Sequence, residues 1–357
     1  MIVVFPKEFS SRRGGDVTRL KSVLTPLDED VLILVPVLKF LFRERSIYVD
    51  EKIVEKHIGL SLSDIVRILK LICTSGSITH SIYWRKSIRN YIFVENEQSV
   101  YFYTSKIGWV YRNISSGKQW IDFVDCLSLK YGQLEQELAS GLFRFFVSKE
   151  KRAIQKIEQI LCEQEQYRFT AISKRDARLL GPRVEVLPNY FAKSEMLPTN
   201  AEGYFLFIGN LSYLPNRLSL DIILGYTMTR KLIIAGTGCL DSKREKRIRE
   251  KSNVFLLGEY DNVSEILNGA CLTLAPMAVS GGIQNKVVES WLNGRIVLGN
   301  RLSFSPFSDD IFEEYILADQ VNLEEKLKSI IQSNKLLNME RDMYEYAVKN
   351  FTNNENR

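Results

Sequence analysis

A lysine and a glutamate stand three residues apart, directly after a loop that contains two glycines. Gly281 and Gly282 free the backbone of the segment Met277–Gln284 to turn and to approach a ligand closely. If a helix begins here, its spacing places Lys286 and Glu289 on one face. The lysine can then balance a diphosphate, and the carboxylate can accept hydrogen bonds from both hydroxyls of a ribose. An ordinary ion pair on a helix surface is the alternative interpretation.

The surrounding residues predict a strand, a loop, a helix and a second strand in direct succession. The apolar run Cys271–Ala275 indicates a buried parallel strand. Apolar positions recur at helical spacing after Gln284, and Gly294 is placed to end that helix before a strand at Ile296–Gly299. A glycine loop that joins a parallel strand to a helix is typical of phosphate sites, because unpaired N–H groups and the helix dipole point at the ligand.

The same alternation of strand and helix is predicted upstream of this segment. The strands are Tyr204–Gly209, Lys231–Ala235 and Val254–Gly258. Asn216 is placed to cap the helix after the first of them. Such βα repetition favours a parallel, doubly wound sheet, which binds ligands at the carboxyl ends of its strands. The glycines expected at those ends are Gly209, Gly236, Gly258 and Gly281.

In these residues the chain resembles the GT-B nucleotide-sugar glycosyltransferases, specifically the retaining family 4 (group 1) enzymes that build bacterial surface polysaccharides. Their C-terminal domain carries a pattern like P-x-x-x-G-x-G-x-x-N-K-x-x-E-x-x-x-x-G-x-x-V. The residues that match are Pro276, Gly282, Asn285, Lys286, Glu289, Gly294 and Val297. One position departs from the family, because members often have a first glutamate where this chain has Gly281.

The resemblance implies an α/β protein of the GT-B class, with two Rossmann-like, doubly wound parallel-sheet domains that face each other across a cleft. Residues 1–192 would form the acceptor-side domain and residues 193–335 the domain that binds the nucleotide-sugar donor. The polar stretch Phe191–Gly203 marks the boundary. The last helix, 336–351, is expected to pack back on the first domain.

The implied activity is transfer of a sugar, with retention and without a metal or other cofactor, from a nucleoside-diphosphate sugar to a hydroxyl of a lipid-linked or glycan acceptor. Lys286, the loop amides and the helix dipole would neutralise the leaving diphosphate, and Glu289 would hold the ribose. The expected donor-binding residues are Gly209, Asn210, Gly236, Gly258, Glu259, Ser280, Gly281, Gly282, Ile283, Gln284, Asn285, Lys286 and Glu289.

The N-terminal half predicts a second α/β domain that begins with a strand at Ile2–Phe5. Gly14 and Gly15 match a glycine pair that the family places on the acceptor side, next to Asp16, although an ordinary βα turn explains them equally well. His80 and Asp125 are further catalytic candidates. They would contact the transferred sugar or the acceptor if they stand at the ends of strands.

Three other functions stay open at this stage. Gly281, in place of the usual acidic residue, motivates a non-catalytic GT-B partner subunit of another glycosyltransferase. A nucleotide-sugar 2-epimerase shares the fold, but no pair of carboxylates or histidines in the first domain singles it out. The GTG at 236–238 is a weak dinucleotide signal, since the full fingerprint needs a third glycine and a later acidic residue. A dehydrogenase therefore ranks below a glycosyltransferase.

Composition sets the expected location and partners. The five cysteines of the 357-residue chain are scattered without CxxC spacing, which favours reduced thiols and the cytoplasm. Two histidines make a histidine-based metal site improbable. The apolar run at 31–42 is too short for a membrane span. A net charge of +5 without a known motif argues against nucleic-acid binding.

Basic and aromatic residues alternate in two clusters of the N-terminal half, Tyr83–Tyr91 and Leu142–Arg152. Such clusters suit attraction to anionic lipid headgroups with aromatic anchoring. They predict a peripheral protein on the inner face of the plasma membrane. A solvated face beside ordinary core aromatics is an equally good interpretation.

Overall fold

The computed structural model describes residues 1–10, 15–26, 29–40, 44–94, 98–114, 117–307, 310–317, 321–332 and 335–352. The chain divides into two compact units, Met1–Asn189 and Tyr190–Arg357. This division falls three residues before the boundary that the polar stretch predicts.

The first unit is built on an eight-stranded sheet in the order β3-β4-β2-β1-β5-β6-β7-β8. Its strands are β1 (Ile2–Val4), β2 (Val31–Phe40), β3 (Arg45–Tyr48), β4 (Ile53–Leu60), β5 (Val100–Tyr103), β6 (Gln119–Val124), β7 (Tyr167–Ala171) and β8 (Val184–Val186). All pairs are parallel except β3 with β4. The fully buried β1 lies inside the sheet, which explains its uninterrupted apolar sequence.

Helices connect these strands and cover both faces of the sheet. They are α1 (Gly15–Leu24), α2 (Leu62–Ser75), α3 (Ile78–Ser81), α4 (Lys86–Val94), α5 (Thr104–Tyr111), α6 (Leu127–Glu137), α7 (Leu142–Cys162) and α8 (Lys174–Leu180). Local sequence fixes α2 well: Ser61 and Asp64 form a capping box at its start, and Gly76 ends it with φ +73°.

A buried ion pair joins α1 to the sheet. Arg19 donates from Nε and Nη2 to the two carboxylate oxygens of Asp122 on β6, at 2.7 and 2.8 Å. Both side chains are excluded from solvent. The Arg19 guanidinium also donates to the carbonyl of Leu187, just after β8. This geometry is bidentate, which offsets the cost of burying the two charges.

The second unit has a five-stranded parallel sheet in the order β11-β10-β9-β12-β13. Its strands are β9 (Tyr204–Ile208), β10 (Leu232–Ala235), β11 (Val254–Gly258), β12 (Ala270–Leu274) and β13 (Val297–Leu298). The helices are α9 (Leu214–Ile223), α10 (Ser242–Arg249), α11 (Val263–Asn268), α12 (Asn285–Leu292), α13 (Arg301–Phe304), α14 (Leu323–Gln332) and α15 (Leu336–Phe351), with a 3₁₀ helix at Asp310–Tyr315. The strands predicted for this region form, and their order gives the doubly wound sheet.

The apolar face of the last helix, α15, lies in the core of the second unit, against α12. The expected packing of this helix on the first domain stays a prediction. Trp291 of α12 meets the ring of Tyr346 edge-on at 5.9 Å, and Met343 is buried in the same core. Below the apolar layer, the buried Glu340 lies 3.6 Å from the guanidinium of Arg295. The apolar stripe of α15 is therefore satisfied within its own unit.

Candidate functional site

The strand order of the second unit reverses at β9. From β9 the chain proceeds through β10 to β11 on one side, and then crosses to β12 on the other side. In open parallel sheets, ligands bind outside the carboxyl ends of the strands at such a point, because the two neighbouring loops diverge there. The loops after β9 and β12 flank this switch point. They contain most of the residues that the sequence predicts for donor binding.

The loop between β12 and α12 is packed as closely as the core. Val279 is 2% exposed and Ser280 is fully buried, and both Gly281 and Gly282 are buried. Gly282 has φ +54°, a conformation that side chains with a Cβ rarely adopt. The side-chain amide of Gln284 donates to the carbonyl of Gly281 at 3.0 Å. These contacts hold the loop backbone in one conformation.

Helix α12 begins directly after this loop. Gln284 is its N-cap residue but makes no side-chain cap bond, and Asn285 is the first helical residue. The first-turn N–H groups of a helix lack partners within the helix, and they carry its positive dipole end. Ile283, just before the cap, packs partly on the core. The arrangement presents a helix N-terminus to whatever binds at the switch point.

Lys286 is a buried cation beside this N-terminus. Its side chain is 7% exposed, its Nζ donates to Oδ1 of Asn216 at 3.0 Å, and the same nitrogen lies 4.5 Å from the ring centroid of Phe207 on β9. None of the described carboxylates pairs with it. Burial lowers the pKa of Lys286 to about 7. An anion at this position would supply the charge that the protein does not.

Glu289 lies one turn further along the same helix and is partly buried. Within the described parts of the chain, its carboxylate has neither a hydrogen bond nor an ion pair. Burial raises the pKa of Glu289 to about 7. The two side chains therefore do not form the surface ion pair that was the alternative interpretation. A partly buried carboxylate without a partner in the described parts of the chain is available to accept hydrogen bonds from a ligand.

The glycines at the other strand ends allow the loops to pack against one another. Gly236, after β10, has φ +149°, and a Cβ there would lie 1.8 Å from the carbonyl oxygen of Gly209 after β9. Asn210 accepts the N–H of Ser212 at 2.9 Å and shapes the same turn. Gly258 and the exposed Glu259 end β11, at the edge of the sheet and two strands from β9. They stand farthest along the sheet from the switch point.

Sequence reasoning missed two contributors to this site and gave another role to a further one, Asn216. Asn216 does not cap α9, whose N-cap residue is Tyr213. The side-chain amide of Asn216 instead donates to the carbonyl of Asn210 at 3.0 Å, and its Oδ1 accepts a hydrogen bond from Nζ of Lys286. Arg217 donates to the carbonyls of Leu211 and Cys239, at 2.8 and 2.9 Å, and joins the loops after β9 and β10. The third contributor is Phe207, whose ring makes a cation–π contact with the ammonium group of Lys286. Polar residues in the first turn after a glycine loop could have indicated the first two.

His80, a catalytic candidate in the first unit, lies on α3 and not at a strand end. Its ring is fully buried, with Nδ1 3.0 Å from Ser77 Oγ and Nε2 3.2 Å from Ser105 Oγ. Burial, helped by the charge of Lys106, lowers the pKa of His80 to about 3. The imidazole is therefore neutral near pH 7. Ser105 follows β5 almost directly, so the ring reaches the strand end through that hydroxyl.

The acidic candidates of the first unit are paired with lysines. Asp125 follows β6 directly and contacts Lys130 at 3.3 Å, while burial raises its pKa. Burial also acts to raise the pKa of Asp16 on α1, but Lys7 and the hydroxyl of Tyr103 at 2.6 Å outweigh it and hold that pKa below its usual range. Gly15 begins α1. Gly14 lies outside the described residues.

The described residues offer neither a candidate metal site nor a membrane-spanning helix. They contain no cluster of three or more histidine, cysteine, aspartate or glutamate side chains arranged to hold a metal ion. None of the helices traced in the structure combines the length and the apolar character that crossing a membrane requires. The five cysteines form no disulfide, and Cys73 and Cys239 are exposed.

No protein-family model matches the chain, and no curated protein matches it. Its structure is similar to that of sucrose-phosphate synthase from Thermosynechococcus elongatus, with a TM-score of 0.71, 11% identity, and coverage of 98% of this chain and 95% of that one. HepE from Anabaena, solved with UDP and glucose, gives a TM-score of 0.65 at 11% identity, with 98% and 95% covered. TarM gives a TM-score of 0.56 at 14% identity, and the match covers 74% of this chain. This chain spans only 55% of the length of TarM. These similarities show that the chain has the GT-B fold.

Proposed function

We propose that the protein is a retaining glycosyltransferase that moves a sugar from a nucleoside-diphosphate sugar to a hydroxyl group without using a metal. One observation carries the proposal: Lys286 and Glu289 lie on one helix, beside a glycine loop at the switch point, and neither has an oppositely charged partner among the described residues. Structures of the GT-B protein HepE with UDP and with UDP-glucose support a donor of this class.

The diphosphate of the donor would neutralise the charge of Lys286. A buried ammonium near its pKa becomes fully protonated when an anion arrives, because the anion stabilises the charged form. The amides of Gly281, Gly282 and Ile283 and the N-terminus of α12 add dipoles aimed at the same charge. In the reaction, the bond from the anomeric carbon to the diphosphate oxygen breaks, and its electron pair stays on that oxygen. The fixed positive groups stabilise the charge that develops there.

Glu289 would accept hydrogen bonds from the two ribose hydroxyls. Those donors favour the ionised carboxylate and so lower its pKa. The acceptor oxygen forms its bond to the anomeric carbon on the face from which the diphosphate leaves, and the proton of the acceptor hydroxyl passes to a diphosphate oxygen. This route conserves the anomeric configuration and needs no strongly basic side chain from the protein.

The acceptor-side assignments rest on the family resemblance and, for Asp125, on its position directly after β6. We propose Gly14, Gly15 and Asp16 for this side, with Asp125 as a second charged group. His80 is fully enclosed, so it would act through Ser105 as a positioning residue. The acceptor we propose is lipid-linked or an oligosaccharide, in the synthesis of a capsule, exopolysaccharide or other surface glycan.

A patch at the start of α7 supports a lipid-linked acceptor at a membrane surface. Leu142 is 89% exposed, and three phenylalanines beside it, Phe143, Phe145 and Phe146, are also exposed. Arg144, Lys149 and Arg152 accompany them on the same exposed stretch. Apolar rings with basic neighbours suit an anionic bilayer. We propose that the cytoplasmic protein binds the inner face of the plasma membrane through this patch.

The second cluster expected at the membrane, Tyr83–Tyr91, supports this role less well. It forms the start of α4, and Arg85 is fully buried, with hydrogen bonds to the carbonyls of Ile82 and Trp84 at 2.9 and 2.6 Å. Membrane binding is therefore best tested on α7. Phe143→Ser with Phe145→Ser should abolish sedimentation with anionic vesicles at low salt, and the matched pair Phe255→Ser with Leu257→Ser, exposed on β11, should not. Equal sedimentation of both variants would remove the membrane from the proposal.

The activity is tested by incubating the protein with a panel of nucleotide sugars in EDTA, with and without glycan and lipid-linked acceptors. We expect nucleoside diphosphate to appear faster with one acceptor, and the anomeric configuration of the product to match the donor. Nucleotide binding without turnover for every acceptor would favour the non-catalytic partner subunit, which Gly281 motivates. Epimerised donor without any acceptor would indicate the 2-epimerase.

A further inference from the structure

The first unit contains a cavity of about 460 Å³ between α2, the start of α4 and the end of α5. Four basic side chains line it: Arg67, Lys86, Arg89 and Arg112. Its apolar wall includes Leu71 and Trp84. None of the residues that line it is acidic. This composition is unlike that of the strand ends in the same unit, where lysines form ion pairs with aspartates.

The four cations have no carboxylate partner among the described residues. Arg67 stacks over the ring of Trp84 at 5.3 Å, and Arg112 lies 3.5 Å over the ring of Trp109. Burial lowers the pKa of Arg112, and the charge of Arg67 lowers it further. The two guanidiniums are thus close enough to repel each other.

The acidic residue on α2 beside this cavity is already engaged. Asp64 is buried and accepts the N–H of Lys86 at 2.7 Å and the N–H of Ser61 at 2.9 Å. Its carboxylate therefore fixes the starts of two helices. Some surface cations elsewhere in this unit do have carboxylate partners, such as Lys151 with Glu135 and Arg168 with Glu185. Like charges gathered without acids raise the local positive potential, which attracts anions.

We propose that this cavity is a binding site for a small anion that carries two phosphoryl groups, such as a diphosphate or a bisphosphorylated sugar. Guanidinium groups match phosphate oxygens with paired N–H donors, and lysine adds a point charge. Four cations can balance the charge of two phosphoryl groups, and the volume admits a ligand of this size. Every residue of the cavity belongs to the first unit, whereas Lys286 and Glu289 belong to the second. The site is therefore additional to the proposed donor site.

The experiment uses the full chain with Lys286→Met, so that the donor site binds inorganic pyrophosphate far more weakly than the cavity does. Titration calorimetry at 50 mM salt should then show one remaining site for pyrophosphate. Replacing two of the exposed cations, Lys86→Ser with Arg89→Ser, should weaken it about tenfold or more. The matched variant Lys156→Ser with Arg178→Ser loses the same charge from exposed positions outside the cavity, and should bind as before.

A second arm separates a soluble ligand from a lipid headgroup. Vesicles of phosphatidylcholine with phosphatidic acid present phosphomonoesters on a surface, so binding that depends on Lys86 and Arg89 only there would identify a lipid headgroup as the source of the phosphate. Binding of free pyrophosphate that depends on the same residues identifies a soluble ligand. Absence of binding in both arms, or equal loss in the cavity variant and its matched control, overturns the proposal.

Discussion

The carboxyl ends of the strands carry charged groups in both units, but only one unit leaves most of them without partners. In the first unit, Asp16 contacts Lys7 and Asp125 contacts Lys130. In the second unit, Lys286 meets only an amide oxygen and a ring, and the carboxylate of Glu289 meets no described group. Charges that are paired within a protein are already neutralised. A buried charge without such a partner is stabilised when a ligand of opposite charge binds. The comparison places the strongest ligand requirement in the second unit.

One residue of the first unit departs from this pattern. Lys106, on α5 after β5, is partly buried and has no hydrogen bond or ion pair among the described residues. Burial, together with the charge of Lys130, lowers its pKa to about 8. Thr104 and Val124, at the ends of β5 and β6, have φ values of +70° and +62°. Such strained β-branched residues are rare and gather at functional sites. At the strand ends that the structure describes, Lys106 is thus the point at which the first unit resembles the second.

The largest effect that would test the comparison is expected for Lys286→Met. The variant loses a charged donor to the diphosphate, and hydrogen bonds to charged groups contribute about 1.5–3 kcal/mol, so affinity for a nucleoside diphosphate should fall about tenfold to 150-fold. Calorimetry in EDTA measures the change. Lys246→Met, on an exposed face of α10, is the matched control. Equal affinity of both variants would show that Lys286 is only a structural lysine.

A somewhat smaller loss is expected for Glu289→Gln. The amide keeps the shape of the side chain but offers a neutral acceptor to the ribose, so affinity at pH 8 should fall roughly tenfold. The matching deoxyribonucleotide should lose much less, because it lacks one of the two hydroxyls. If ribo- and deoxyribonucleotides lost affinity equally, Glu289 would not contact the ribose.

A change of pH should alter the affinity for a nucleoside diphosphate less than either substitution does. Lys286 must be protonated to bind the diphosphate, so its contribution is present below pH 7 and is lost as the pH rises through its pKa of about 7. Glu289 must be ionised, so its contribution is present above pH 7 and is lost as the pH falls through its pKa of about 7. Affinity should therefore peak near pH 7 and decline about threefold by pH 6 and by pH 8.

Glu289→Gln separates the contributions of Lys286 and Glu289 to that pH profile. The variant should keep only the decline above pH 7. The titration of the nucleotide itself cancels when the variant is compared with the wild type at each pH, so the ratio reports the carboxylate alone. A ratio that stays constant from pH 5.5 to pH 8.5 would mean that Glu289 does not titrate in this range.

The smallest effect on nucleotide affinity is expected for His80→Leu. It leaves the hydroxyls of Ser77 and Ser105 without their buried partner, which should cost about 1–3 kcal/mol of unfolding free energy. Nucleotide affinity should not change, because the donor residues lie in the other unit. His80→Gln can keep one of the two hydrogen bonds and should restore part of the stability. A large loss of nucleotide affinity in either variant would break the comparison between the units.

The second unit could be predicted from sequence because its signals are local. Strands β9, β10 and β12 are short apolar runs buried on both faces, and glycine-containing loops follow them. The pairing of Lys286 with Asn216 joins residues 70 positions apart, and no spacing rule reveals it. The burial of Arg85 escaped prediction for the same reason, because only tertiary packing decides which neighbours cover its side chain.

The contact of Arg19 with Asp122 also constrains how the chain is made. The two residues are 103 positions apart, and the carbonyl of Leu187 lies further along the chain. A ribosome adding about 5–20 residues per second needs roughly 5–20 s to reach the aspartate after the arginine. Until then, docking α1 would bury an uncompensated guanidinium, which is strongly unfavourable. Helix α1 therefore cannot complete its packing on the sheet until residues more than 100 positions further along the chain have been made.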